Sequence, residues 1–576
     1  MTSRFSSAGL LQLMLLFGSV SGLEKPEHHV KHSMESVLDS YDYIVVSSRT
    51  SGLVVANRLS ANPSKTVLVV EYGDFANTIN VTVPYFTTLD QTPRLYNMTS
   101  VPQMHLEGRT SRMRLGSVVG GSSTINGMAW DRGSSVDYDS WEELGNPGWG
   151  WNTLLKYFRK SSTFSPPAEE YVEKYAMQAE AWTEDLHADI LRDGADGKNV
   201  GLAWLPQSSG GKEATRSSAE TAYYQPASHR PNLHLLVRHY GAAIKFNGNV
   251  TTGVEIASRD RGPSKCISSK NVILTAGATN TPRILQLSGI GANFQDHPTF
   301  NMIYEFNNKT VPNLDLMNDA NFYDAAWEEY VTNKTGPLSH AWGNYISFSS
   351  LQDLDPDFEV IADSLAKQEL LDHLPAIYAE NHSLVKGFLE QRRVMQSQFR
   401  NPEARILEIA FGGAVVVPVA LQKPLSRGTI FINTTNADPS ISPLIDFNTA
   451  ANPVDMHIVM RALTKARQFM SAESVASLEP VEVPPGLTLQ DEVEIQTAMR
   501  KTFLSPSLDH PVGTAAMMPR EWGGVVDTNL QVYGVEGLWV VDASVMPLLP
   551  AAHTQATVYA VAEYAADLIK KHSKHA

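Results

Sequence analysis

A single cysteine, Cys266, stands among 576 residues. That excludes an intramolecular disulfide, so the fold must be held by its hydrophobic core. No Cys-His signature surrounds Cys266, which reads as structural rather than as a catalytic thiol. Basic residues are in deficit, with 46 Lys and Arg against 61 Asp and Glu and a formal charge of -15. Such a surface repels phosphate backbones and excludes nucleic acid as a partner. Past the N-terminus no apolar run approaches the ~20 residues that cross a bilayer. The chain also lacks internal repeats, low-complexity linkers, metal-ligand spacings and a G-x-S-x-G hydrolase elbow.

What is there begins with MTSRFSSAGLLQLMLLFGSVSGLEKPE, one Arg ahead of a short apolar run and Val20, Ser21 and Gly22 ahead of a polar stretch. This is the pattern of a secretory signal peptide over residues 1–22, too short to anchor in a membrane. Seven N-x-[ST] sequons, at Asn80, Asn97, Asn249, Asn308, Asn333, Asn381 and Asn433, are expected to carry N-linked glycans on that route. The mature protein is expected to be soluble, secreted or held in a secretory-pathway or vacuolar lumen, and free of membrane after signal cleavage. Its length implies two or three closely connected units.

YDYIVV (Tyr41 to Val46) reads as a strand buried on both faces. SSRTSGLVVANRLSANPSK follows as a turn into a helix, with Leu53, Val54, Ala56 and Leu59 at helical spacing, and TVLVVEYGD is a second strand ending at Glu71. A strand, a Gly-bearing turn, a helix and a strand with a terminal acid compose a βαβ dinucleotide unit. Its three-glycine fingerprint positions hold Ser47, Arg49 and Gly52, so only the third is intact. Glu71 is placed to accept hydrogen bonds from a ribose diol. On these residues alone an ordinary βαβ unit is an equal reading.

Further on, RLGSVVGGSSTINGMAWDRGSSVDYDSWEELGNPGWGW (Arg114 to Trp151) holds a second Gly/Ser-rich loop whose amides suit a diphosphate or an isoalloxazine ring. Gly120, Gly121, Ser122 and Ser123 open a stretch similar to the GGSSxING loop of the glucose-methanol-choline (GMC) oxidoreductases. VILTAGATNTPRILQLSGIG (Val272 to Gly291), GANFQDHP (Gly291 to Pro298), DHPVGTAAMMP (Asp509 to Pro519) and VVDASVMPLLPAAHTQATVYAVAEYAADLI (Val540 to Ile569) resemble further segments of that family. The likeness runs from Tyr41 to Ile569 and leans toward the secreted fungal branch of polyketide and mycotoxin pathways.

The resemblance implies an α/β fold: a Rossmann-like FAD-binding domain interleaved with an α+β substrate-binding domain. The first would comprise residues 40–155, 230–299 and 505–572, the second residues 156–229 and 300–504. It implies FAD as cofactor, with Thr50, Ser51, Gly52, Glu71, Gly120, Gly121, Ser122, Asn126, Gly127, Met128, Ala129, Gly277, Asp542, Ala543, Thr554 and Gln555 around it. It implies catalysis by His510 and His553 on a small-molecule alcohol, with dioxygen or another electron acceptor. Bare chemistry agrees: a histidine titrating near neutrality can take the alcohol proton while hydride leaves the carbinol carbon, and His553 would hold the substrate oxygen or share the base role. His297 reads as a satisfied structural histidine, and Trp149 and Trp151 as core.

Two departures bear on this reading. Arg49 sits where the backbone should meet the pyrophosphate; pointing inward it excludes FAD, whereas swinging outward or pairing with phosphate oxygens it permits binding. SGIG runs almost directly into ANFQDHP, shortening the flank of the cofactor. A non-redox cyclase or dehydratase on this fold, and a flavin-free pseudoenzyme, are the alternatives.

Overall fold

Two apolar tetrapeptides, YIVV and VLVV, form the centre of the molecule. β1 (Tyr43–Val46) and β2 (Val67–Val70) are buried at every residue and pair in parallel, Tyr43 opposite Val67 through Val46 opposite Val70. Burial of both faces demands helical cover on each side, which is why such strands occur in α/β sheets. α1 (Thr50–Ser60) supplies the crossover between them. In the computed structural model, which describes residues 29–575 apart from 89–90, 166–180, 187, 192, 199, 286–289, 309–313, 342–344, 412–414, 434–440 and 487–490, the sheet is completed by β3 (Leu233–Leu236), β4 (Val272–Leu274) and β5 (Leu538–Val540). The spatial order is Val30–Lys31, β3, β2, β1, β4, β5, with every pairing parallel. The expected signal peptide lies outside the described residues, and so does most of the junction before Gly291.

The order of strands reverses at β1, between β2 on one side and β4 on the other. In doubly wound sheets ligands bind at the carboxyl ends of the strands where this happens. α1 starts beneath that crevice, and its approach to the sheet explains the surviving glycine of the fingerprint. A Cβ on Gly52 would lie 2.1 Å from the Ser47 carbonyl oxygen, so no other residue fits. α2 (Gly277–Leu285) leaves the crevice after β4, and α3 (Thr554–His575) packs on α1. The α1–α3 contact is fastened by Arg58, whose guanidinium grips the buried Glu563 carboxylate at 2.5 Å.

A second six-stranded antiparallel sheet lies beyond. Its order is Pro480–Glu482, Thr299–Phe306, Val416–Leu421, Leu407–Phe411, Tyr345–Ser349 and Gly201–Trp204. Thr299–Phe306 alternates buried and exposed residues over most of its length, the mark of a strand with one wet face, whereas Leu407–Phe411 is buried throughout. Among the described residues no helix is long and apolar enough to cross a membrane, and none of the seven sequon asparagines is buried.

Candidate active site

The crevice at the ends of β1 and β4 is bounded by the Ser47–Arg49 turn, the glycines at 120 and 121 and Gly277. Ser47 occupies the first fingerprint position with φ +92°, a backbone conformation natural to glycine and costly for serine. Arg49 points inward, packed against Gly121 and Gly277, the orientation expected to exclude FAD unless the guanidinium pairs with its phosphates. It is 8% exposed, its guanidinium lies 5.1 Å from the Tyr96 ring centroid, and its Nη1 stands 2.4 Å from where a Cβ of Gly277 would be. Its Nε and Nη2, together with the Ser51 hydroxyl in the first turn of α1, are buried without a hydrogen-bond partner. The N-terminus of α1 has no side-chain cap.

Glu71 is 1% exposed at the end of β2. Its Oε2 accepts from the Ser48 amide (2.8 Å), the Ser48 hydroxyl (2.8 Å) and the Ser47 hydroxyl (3.3 Å), and its Oε1 from the Gly73 amide (2.7 Å). The carboxylate therefore ties down the turn after β1, with Oε1 retaining acceptor capacity for a ligand. Thr50 approaches the Gly120 carbonyl, and the Ser122 hydroxyl accepts from the Gly116 amide. Asn126 bonds Gln555 and accepts from Arg216 at 2.7 Å, while its Oδ1 also receives the Met128 amide. Gly127 lies between Asn126 and Met128; Met128 and Ala129 are buried. Asp542 joins two strands' ends: Oδ2 accepts the Gly277 amide at 2.8 Å and the Thr281 hydroxyl, and Oδ1 accepts the Ser544 amide beside Ala543. Thr554 opens α3. Contacts of Ser48 with Glu71, Thr50 with Gly120, Arg49 with Gly277, Gly277 with Asp542 and Asn126 with Gln555 thus bring five sequence-distant segments together, while Ala129 packs into the apolar cluster of the second sheet.

The imidazoles of His510 and His553 stand edge to face with centroids 5.2 Å apart. Each is placed by a buried carboxyl. Asp296 accepts the backbone amides of His297 (2.8 Å), His510 (3.0 Å) and Leu508 (3.3 Å) and the Ser507 hydroxyl (2.6 Å), knotting the two histidine loops together. Burial, with Asp509 nearby, pushes this acid up to about 8. Asp131 sits 3.0 Å from His553 Nδ1. Glu408, from the buried strand Leu407–Phe411, brings Oε1 to 3.7 Å from His553 Nε2.

These surroundings divide the two imidazoles. For His510, burial and the neighbouring His297 and His553 rings hold the pKa well below the usual value, so the expectation of titration near neutrality is corrected: His510 is neutral at pH 7. For His553 burial opposes the charge, but Glu408 and Asp131 outweigh it and lift the ring to about 9. Burial pushes Glu408 up to about 7. Above that pH two carboxylates, Asp131 and Glu408, balance two cations, His553 and the buried Arg405.

His297, read as structural, packs beside the pair. It is fully buried, and its Nδ1 lies 3.0 Å from His510 Nδ1. One of the two must donate. Asp131, Glu408, Arg405 and Asp296 were not among the sequence candidates. Glu408 alone had a local signal, since an acid in a strand of otherwise apolar residues is almost never buried without a partner. Trp149 and Trp151 are core, as expected, with Trp149 donating from Nε1 to the Thr528 carbonyl.

With this geometry in place, the family models described as GMC oxidoreductase match residues 41–299 and 424–562. A dehydrogenase, xptC, of Emericella nidulans is 33% identical over 97% of this chain and 98% of its own length. A GMC oxidoreductase family protein, Mala s 12, of Malassezia sympodialis is 30% identical over 96% of both chains. Among solved structures, an FAD-dependent oxidoreductase from Chaetomium thermophilum superposes with a TM-score of 0.88 at 32% identity, covering 93% of this chain and 100% of the other. A fungal aryl-alcohol oxidase superposes with a TM-score of 0.87 at 31% identity, with 93% and 100% covered.

Proposed function

The chain belongs to the GMC oxidoreductase family, and from that premise we propose that it oxidises the carbinol of a small aromatic or lactol-bearing secondary metabolite, passing electrons to dioxygen or another acceptor. FAD is the cofactor of this oxidation, and the crevice residues fit it. Unpartnered donors on Arg49 and Ser51 beside an uncapped helix N-terminus suit a diphosphate. The turn glycines, Glu71, Asn126 and the Asp542–Ala543 segment would line the rest of the cofactor. When bound, FAD supplies the two-electron acceptor for the hydride that leaves the carbinol carbon.

The observation that carries this reading is the pairing of a neutral His510 with a charged His553 5.2 Å away. We assign the shared hydrogen to His510 Nδ1, donated to His297, which leaves the Nε2 lone pair free to accept the alcohol proton. Alkoxide character developing on the substrate oxygen is stabilised by the His553 imidazolium, a donor already in place before reaction. Asp131 keeps that ring oriented, and Arg405 neutralises the acid. The likeness to a fungal aryl-alcohol oxidase supports an aromatic carbinol. The purified protein should show the visible absorbance of bound flavin, bleached anaerobically by an aryl alcohol. A colourless protein that takes up no FAD refutes the reading, and product formed without bleaching would replace it by acid-base cyclisation.

The split between the imidazoles sets the pH dependence. As pH rises, kcat/KM should climb through the depressed pKa of His510, which must be unprotonated, and fall through about 9 as His553 loses its proton. The two limbs belong to the coupled cluster rather than to isolated rings. Glu408→Gln removes a charge that raises the His553 pKa, so the alkaline limb should move down by roughly one unit while the acid limb moves little. An unmoved alkaline limb in the pH–rate profile would detach Glu408 from His553.

A further inference from the structure

Arg49 is the strangest residue of the crevice. A guanidinium is charged at all physiological pH values and carries five donors, so it is buried almost only with an anion or carbonyls to receive them. Here it is 8% exposed, and Nε and Nη2 have no partner. Among the described residues no carboxylate lies within ion-pair reach of it. The nearest acid in the turn, Glu71, is engaged by Ser47, Ser48 and Gly73. What surrounds Arg49 instead is a cradle cut for it: a Cβ on Gly121 would fall 2.8 Å from its Cα and Cγ, one on Gly277 would fall 2.4 Å from its Nη1, and Tyr96 flanks the guanidinium. The Ser51 hydroxyl, a second buried orphan donor, opens the adjoining turn of α1. Space has been cleared for the side chain, and its charge meets the Tyr96 side chain but no carboxylate, with Nε and Nη2 left over.

We propose that Arg49 is a phosphate-binding residue whose Nε and Nη2 donate to the diphosphate of bound FAD, replacing by a charged fork the close backbone approach that glycine would allow at this position. The inference rests on the FAD-dependent reading above. It turns the apparent defect of the fingerprint into a different solution of the same problem, with the serine hydroxyl and the helix amides completing the anion site.

The test compares wild type with Arg49→Lys, Arg49→Met and Arg49→Gly, using FAD itself as the probe. Flavin content of the purified proteins and FAD release at rising salt, followed by flavin fluorescence, should show about 100-fold weaker retention in Arg49→Met and an intermediate loss in Arg49→Lys, the effect expected from losing charge-assisted hydrogen bonds. Thermal unfolding separates this from a structural role. Without added FAD the Arg49→Met midpoint should equal or exceed that of wild type, since a buried cation with no carboxylate partner has been removed, whereas the upward shift produced by added FAD should shrink. Wild type that retains FAD while Arg49→Gly or Arg49→Met retains it equally or more tightly overturns the proposal alone and marks Arg49 as an obstruction. Wild type that binds no FAD overturns both the proposal and the reading beneath it.

Discussion

Replacing His510 by alanine should lower kcat by about 10³-fold with FAD still bound and its visible spectrum unchanged. The size follows from what is lost. His510 is held neutral by burial and by the His297 and His553 rings, and its loops are knotted by Asp296, so the base arrives at the substrate unprotonated and already oriented. Alanine removes the lone pair and leaves the remaining machinery standing. His553 cannot substitute, because with a pKa lifted to about 9 it carries a proton at neutral pH and has no lone pair to offer. The rate of anaerobic flavin bleaching, measured in single turnover, should therefore fall as far as kcat. The acid limb of the pH profile should vanish with the imidazole. A bleaching rate within ten-fold of wild type would remove His510 from the chemistry.

Arg405→Met should cost about 3–5 kcal/mol of folding stability, the effect of breaking a fully buried ion pair by removing one partner. Arg405 is 0% exposed, donates to the carbonyls of Arg132 (2.9 Å), Ala551 (3.1 Å) and Gly194 (3.2 Å), and lies 3.7 Å from Asp131. Its guanidinium also stacks 3.6 Å from the Phe348 ring centroid, an apolar contact that methionine preserves in part. What methionine cannot replace is the set of donors and the charge. Asp131 would be left facing His553 as its sole close cation. Arg405 depresses the His553 pKa, so its removal should move the alkaline limb of kcat/KM upward, opposite in sign to Glu408→Gln. Chemical denaturation reads the stability and the pH profile reads the charge. A variant as stable as wild type would show that the network does not carry the weight its burial implies.

How much of this was legible without coordinates depended on whether a residue's role is local. YIVV and VLVV announce a parallel sheet because burial on both faces leaves no polar alternation, and Gly52 announces a close approach because it holds the intact third fingerprint position, where the Ser47 carbonyl five residues earlier leaves no room for a Cβ. The direction of Arg49 was not legible. Its side chain is long enough to point either way, and the choice is made by Gly121 and Gly277, which arrive from distant segments. The QDHP segment was visible, but its partner His510 lies 213 residues away, and only the fold shows two imidazoles sharing a hydrogen. The depression of the His510 pKa is illegible for the same reason. Intrinsic titration belongs to the residue, while its displacement belongs to three segments that meet around it.

The central sheet has a temporal consequence. β1 is the first long strand described, β5 enters the same sheet beside β4 almost five hundred residues later, and α3 then closes on α1 through Arg58 and Glu563. During synthesis the cofactor crevice therefore has a floor long before it has a far wall, and both imidazoles of the pair follow four of the five long strands of the sheet. The paired imidazoles and the Asp542 tie to Gly277 therefore form only after β5 and the start of α3 have been made.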